Sequence, residues 1–91
     1  MVAMNKEQKN ALRRQCHHIK PVVWLGSQGY TEAVAAEIES ALNAHELIKI
    51  KVQSSTKADR NAVASQLNRE HQADIIQQIG QTICLYRQSE Q

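Results

Sequence analysis

Along the chain the spacing of apolar and polar positions changes several times, and each change marks an element. Between Asn5 and Ile19 the apolar residues Leu12, Cys16 and Ile19 stand at i, i+4 and i+7, while Lys6, Lys9, Arg13 and Arg14 lie mostly off that stripe. This spacing predicts a helix with one apolar face. Pro21 ends it, because the residue before a proline is pushed out of helical geometry. "PVVWLG", residues 21–26, is a short apolar run and reads as a strand buried on both faces. From Thr31 the helical period returns, with Val34, Ile38, Ala41, Leu42 and His45 on one face. Glu37 and Glu39 fall off that face and read as solvated. Thr31 is placed as the N-cap, and Glu32 in the first turn suits the helix dipole.

"LIKIKV", residues 47–52, alternates strictly. Ile48, Ile50 and Val52 point one way, Lys49 and Lys51 the other, which predicts a half-buried strand with a basic exposed side. "TKAD" at Thr56–Asp59 has the spacing of a capping box and opens a third helix that runs to about His71. Its buried face is expected at Ala62, Val63 and Leu67. "ADIIQQIGQTICLYR" then reads as two strands around Gly80–Gln81, where glycine at the first central position fits a two-residue type II′ turn. Residues 88–91 form a polar tail expected to fray.

The order is helix–strand–helix–strand–helix–strand–strand. It predicts an α/β (α+β) two-layer sandwich with a mixed four-stranded sheet. The first two strands should be parallel, joined by a right-handed crossover, and the last two antiparallel. The chain has 91 residues, enough for one domain, residues 1–91, with one modest core. Aromatic residues are limited to Trp24, Tyr30 and Tyr86, so aliphatic side chains must build that core.

A net charge of +2 says little, but its distribution says more. Residues 1–20 carry Lys6, Lys9, Arg13, Arg14 and Lys20 against Glu7, and residues 48–60 carry Lys49, Lys51, Lys57 and Arg60 against Asp59. Between them Glu32, Glu37, Glu39 and Glu46 meet no Lys or Arg in sequence. If the basic segments meet in space, the molecule has one positive side suited to a polyanion. On charge alone, solvated faces explain the pattern as well. Cys16 and Cys84 stand far apart, no apolar leader is visible, and no run approaches the ~18 apolar residues of a membrane span. The expectation is a cytoplasmic protein with reduced thiols and no membrane contact.

Two of the three glycines, Gly26 and Gly29, bracket Ser27 and Gln28 between a strand and a helix. Without Cβ atoms they permit positive φ and close approach of another backbone. The helix that follows aims its free amides and positive dipole end at the loop, which makes an anion site. A strand-to-helix turn that needs glycine only for shape explains the same residues. The loop is neither a Walker loop, for no Lys-Ser or Lys-Thr follows Gly29, nor a dinucleotide fingerprint. Trp24 and Tyr30 flank it, and either ring could stack on a base. For Trp24 the simpler expectation is the core; for Tyr30 both readings stay open. Cys16, His17 and His18 are adjacent on a helix and point about 100° apart, so they converge poorly on a metal. Cys16 is expected to be a small buried residue, and the two histidines to lie at the helix's negative end. No metal, cofactor or catalytic triad is expected.

"KPVVWLGSQGYTEAVAAEIESALNAHELIKIKV", with the late "LYR", resembles the CRM domain, the RNA-binding module of chloroplast splicing factors and bacterial YhbY-type proteins. The matching features are a basic helix, the Pro21–Leu25 strand, the Gly26–Gly29 GxxG loop, His45–Lys51 and Leu85–Arg87, in that order over nearly the whole chain. The resemblance implies a fold like the C-terminal domain of translation initiation factor three. It implies RNA binding without catalysis, and association with large-subunit rRNA in pre-ribosomal particles. RNA contacts would come from Gly26, Ser27, Gln28, Gly29 and Tyr30, with Arg13, Arg14, Lys20, Lys49, Lys51 and Lys57 supplying charge. No small-molecule substrate is expected. Two positions depart from the pattern: Ser27 where many members carry a basic residue, and Tyr30 where many carry an aliphatic one. The alternatives are a nucleotide- or phosphometabolite-binding enzyme using the same loop, and a protein-interaction module docking through the acidic second helix.

Overall fold

The computed structural model describes residues 5–26, 28–53 and 56–88. It contains α1 (Lys6–Cys16), β1 (Val23–Leu25), α2 (Glu32–His45), β2 (Leu47–Val52), α3 (Lys57–His71), β3 (Asp74–Ile79) and β4 (Thr82–Tyr86). The four strands form one sheet in the order β1-β2-β4-β3. β1 and β2 are parallel, and the other two pairs are antiparallel. The element order and the mixed four-stranded sheet with three helices are those the sequence predicts, but the helices do not form a single second layer: α2 and α3 cover one face of the sheet and α1 the other, because the strands carry an apolar cluster on each side.

Local hydrogen bonds start each helix. Asn5 Oδ1 accepts from the Gln8 amide at 2.8 Å, and Gln8 Oε1 accepts from the Asn5 amide at 3.1 Å, a reciprocal capping box. Thr31 Oγ1 accepts from the Val34 amide, and Thr56 Oγ1 from the Asp59 amide. α1 stops at Cys16, earlier than Pro21 would require. The amides of His17 and His18 turn back to Arg14 and Gln15 and tighten the last turn. At the hairpin, Ile79 faces Thr82 across Gly80–Gln81, and Gly80 has φ +55° while Gln81 does not take positive φ. That pattern fits the II′ turn.

The sheet is covered unequally. On one face Val23, Leu25, Ile48, Ile50, Val52, Ile83 and Leu85 pack under Ile38 and Leu42 of α2 and Ala64 and Leu67 of α3. Burying each such side chain contributes about 1.5–3 kcal/mol. Here the α3 reading needs correction. Ala62 is exposed and Ala64 is buried, because the buried stripe runs Ala64–Leu67–His71. In α2, His45 is exposed too, in the last turn of the helix. On the other face α1 lays Cys16 and Leu12 on Ile76, Cys84, Leu47 and Tyr86. A register shift between Ile75 and Gln77 inserts Ile76 as an extra residue in β3. Ile76 drops beneath α1, and its carbonyl accepts from Arg13 Nε at 3.3 Å. Cys84 is pushed up to about 12, first by burial and then by its hydrogen bond with Cys16, so this thiol stays protonated and acts as packing. Among the described residues no helix is long and apolar enough to cross a membrane.

Candidate functional site

The loop leaves β1 at Leu25, whose carbonyl accepts from the Gln53 amide at 3.0 Å. The Gly29 amide donates to the Gly26 carbonyl at 3.0 Å and closes the turn. The two glycines then part ways. Gly29 has φ +72°, a conformation that L side chains rarely adopt, so the turn itself requires it. Gly26 has negative φ, and a Cβ built there meets nothing within 4 Å. Neither backbone conformation nor crowding explains glycine at 26; its bare surface is open to an approaching group. Gln28 is exposed, and Ser27 lies outside the described residues. α2 follows directly, with Thr31 holding its first turn.

Tyr30, just after Gly29, turns into the fold and packs against the main core. Its hydroxyl lies 2.8 Å from His71 Nε2, and the two rings meet edge-on at 5.9 Å. His71, only 3% exposed, donates from Nδ1 to Glu39 when its Nε2 accepts from Tyr30. Arg87 completes the network: its Nη1 donates to both Glu39 carboxylate oxygens at 2.9–3.0 Å and to the His71 carbonyl at 3.0 Å, and its Nη2 to Asn43 at 2.9 Å. The Arg87 hydrogen bonds, then that of His71, hold the Glu39 carboxyl below the usual carboxylate range. Burial, then the Glu70 carboxylate, pushes the Tyr30 phenol up to about 12. The exit of the loop is thereby tied to the end of β4. Sequence reading missed this network. Glu39 reads in sequence as solvated, and nothing local signals partners 32 to 48 residues away.

Trp24 needs the opposite correction. It is 55% exposed, not core, because β1 is an edge strand with only one covered face. Val23 and Leu25 face the helices, and Val22 and Trp24 lie on the other side. The strand is therefore not buried on both faces. Lys49 and Lys51 alternate with buried Ile48, Ile50 and Val52, as expected, and face the α1 side. Arg13 and Arg14 are exposed on α1, which lies on this same side, and Lys20 is exposed in the connection to β1. Lys57 is exposed at the start of α3, in the opposite layer. The structure thus brings Arg13, Arg14, Lys49 and Lys51 to one side of the sheet and leaves Lys57 on the other.

At the far edge of the sheet, a shallow groove of about 400 Å³ lies between α3 and β3, lined by Asn61, Ala64, Ser65, Asn68, Arg69, Ile75 and Gln78. Its lining holds no carboxylate, histidine or cysteine. Gln78 Nε2 donates to Asn61 Oδ1 at 2.8 Å beside it. Among the described residues, no three His, Cys, Asp or Glu side chains are placed to hold a metal ion.

Comparison with known proteins follows the same outline. The family model for the CRS1/YhbY (CRM) domain matches residues 4–87. The chain is 44% identical over 91 residues to a Haemophilus influenzae protein named "RNA-binding protein", covering 100% of this chain and 92% of that one. It is 36% identical over 85 residues to a Bacillus subtilis protein named "Probable RNA-binding protein", covering 93% and 88% respectively. The solution structure of a hypothetical protein from Staphylococcus aureus, described as a candidate RNA-binding protein, superposes with a TM-score of 0.85 at 30% identity, covering 98% of this chain and 93% of that one.

Proposed function

The chain belongs to the CRS1/YhbY (CRM) domain family, and we propose that it is a non-catalytic RNA-binding protein that acts on large-subunit rRNA during ribosome assembly in the cytoplasm. The observation that carries the reading is Gly26. The fold demands glycine at 29 but not at 26, so the bare surface at 26 serves an approaching backbone. A phosphate there meets the N-terminal end of α2, whose dipole favours negative charge. Lys49 and Lys51, with Arg13, Arg14 and Lys20, add attraction from the α1 side, and Lys57 from the α3 side. Such contacts lose affinity steeply with salt. The names of the relatives support RNA as the partner class. The pre-50S assignment rests on the resemblance to stand-alone bacterial members, and crosslinking in cells with sequencing of the attached RNA tests it.

The loop assignment is tested by Ser27→Asp combined with Gln28→Asp. Both positions are polar and precede α2, where added carboxylates are neutral or stabilising by roughly 0.3–1 kcal/mol. The melting temperature should stay close to the parent's while RNA affinity falls severely. A double variant that binds RNA as well as the parent removes the loop from the interface.

A further inference from the structure

Among the described residues, the α1 side of the sheet is only partly covered. α1 sits over the end that carries Leu47, Tyr86 and Cys84. The register lines up a second row nearer the loop: Trp24 beside Lys51, Lys51 beside Thr82, Thr82 beside Ile79. Trp24 is 55% and Ile79 58% exposed, one at each edge of the row. Val22, 44% exposed, adjoins Trp24 on the same side. An indole on an open sheet, in register with a lysine and two residues before a phosphate-type loop, suits a ligand with an aromatic face and an attached negative charge. Trp24 also lies about 7 Å along the strand from Gly26, by the usual rise per strand residue. One nucleotide can therefore touch both.

We propose that Trp24 is a base-stacking site for an unpaired nucleotide of single-stranded RNA, with Lys51 beside it to meet the phosphate. The inference rests on the RNA-binding reading above and specifies what that surface selects. A duplex keeps its bases stacked inside and cannot offer a face to the indole, so the row prefers single strands. Tyr30, whose ring is packed and whose hydroxyl is tied to His71, is not available for this role.

Trp24 is the only tryptophan in the chain, so its fluorescence reports on this site alone. Full-length protein is titrated with an oligouridylate, an oligoadenylate and an RNA duplex of equal length, and total binding is read in parallel by anisotropy of labelled RNA. Single strands should quench Trp24 and the duplex should not. Trp24→Ala should bind single strands about 5- to 150-fold more weakly, and Trp24→Phe should recover most of the loss. Circular dichroism and melting identify any variant that fails to fold, in which case the parent's quenching decides. RNA that binds by anisotropy with Trp24 fluorescence unchanged overturns the stacking site and leaves the RNA-binding reading intact. Equal quenching by the duplex, or concentration-dependent self-association that Trp24→Ala abolishes, also overturns it. No binding of any of the three RNAs by anisotropy removes the RNA-binding reading itself.

Discussion

The two faces of the sheet are built from the same strands and differ in what covers them. Along β2, Ile48, Ile50 and Val52 enter a closed aliphatic core beneath two helices, while Lys49 and Lys51 stay half-exposed between α1 and open water. One face is closed along its whole length, and the other is closed only beneath α1 and leaves charge and an aromatic ring exposed beyond it. The difference teaches that adjacent positions in one strand answer to separate pressures, because the pleat sends them to opposite sides.

The largest effect should come from breaking the closed face. Ile50→Ala should cost about 2–5 kcal/mol, read as a lowered urea midpoint. Lys51→Ala, the next residue, should stay within about 0.5 kcal/mol of the parent. On RNA it should reduce the slope of log affinity against log salt by about 0.7, one phosphate contact to a single strand. An unchanged slope makes Lys51 a merely solvated residue, and equal destabilisation by both variants erases the contrast between the faces.

A smaller effect sharpens the comparison at the margin of the closed face, where Tyr30, His71, Glu39 and Arg87 form a polar seam. Tyr30→Phe leaves the His71 Nε2 without its hydroxyl partner and should cost about 1–3 kcal/mol in chemical denaturation. The seam also predicts acid sensitivity. Glu39 holds its proton less tightly folded than unfolded, so its contribution is present above the usual carboxylate range and is lost as pH falls through its depressed pKa. Arg87→Met should flatten that dependence of the urea midpoint. A parent whose stability does not fall over this acid range would show that the Arg87–Glu39 contact contributes nothing. The Tyr30 phenol has the opposite sign. Its stabilisation is intact below the ordinary tyrosine range and is lost as pH rises towards about 12.

In the loop, where the two faces meet, the stability differences should again be smaller than the cost of opening the closed face. Gly29→Ala should cost about 1–2 kcal/mol for its left-handed backbone. Gly26→Ala should remain within about 1 kcal/mol of the parent in stability and weaken RNA binding. Thermal melts beside anisotropy titrations separate these outcomes. A Gly26→Ala variant with parental affinity would leave its glycine unexplained.

Much of this could be read before the structure. Element order, the caps at Thr31 and Thr56, the hairpin glycine and the direction of Lys49 and Lys51 all emerged from neighbouring residues. The glycine loop is legible as a strand-to-helix turn, but the different backbone conformations of Gly26 and Gly29 are not. Sequence alone places Trp24 in the core and Ala62 on the buried face of α3, and the structure exposes both. An apolar run does not say whether its strand is central or at an edge. In α3, Ala62 and Ala64 are indistinguishable until the helix docks.

What the sequence determined by itself is what a few adjacent residues settle through hydrogen bonds three positions apart and through the periods of helix and strand. Thr31 caps Val34 and Thr56 caps Asp59 wherever the rest of the chain goes. The tertiary structure alone decided which surfaces are covered. It joined Tyr30 to His71 across 41 residues and Arg87 to Glu39 across 48. It laid α1 over one end of the sheet and left Trp24 and Ile79 bare at the other. Such contacts depend on where the rest of the chain packs, and no local pattern of residues encodes that.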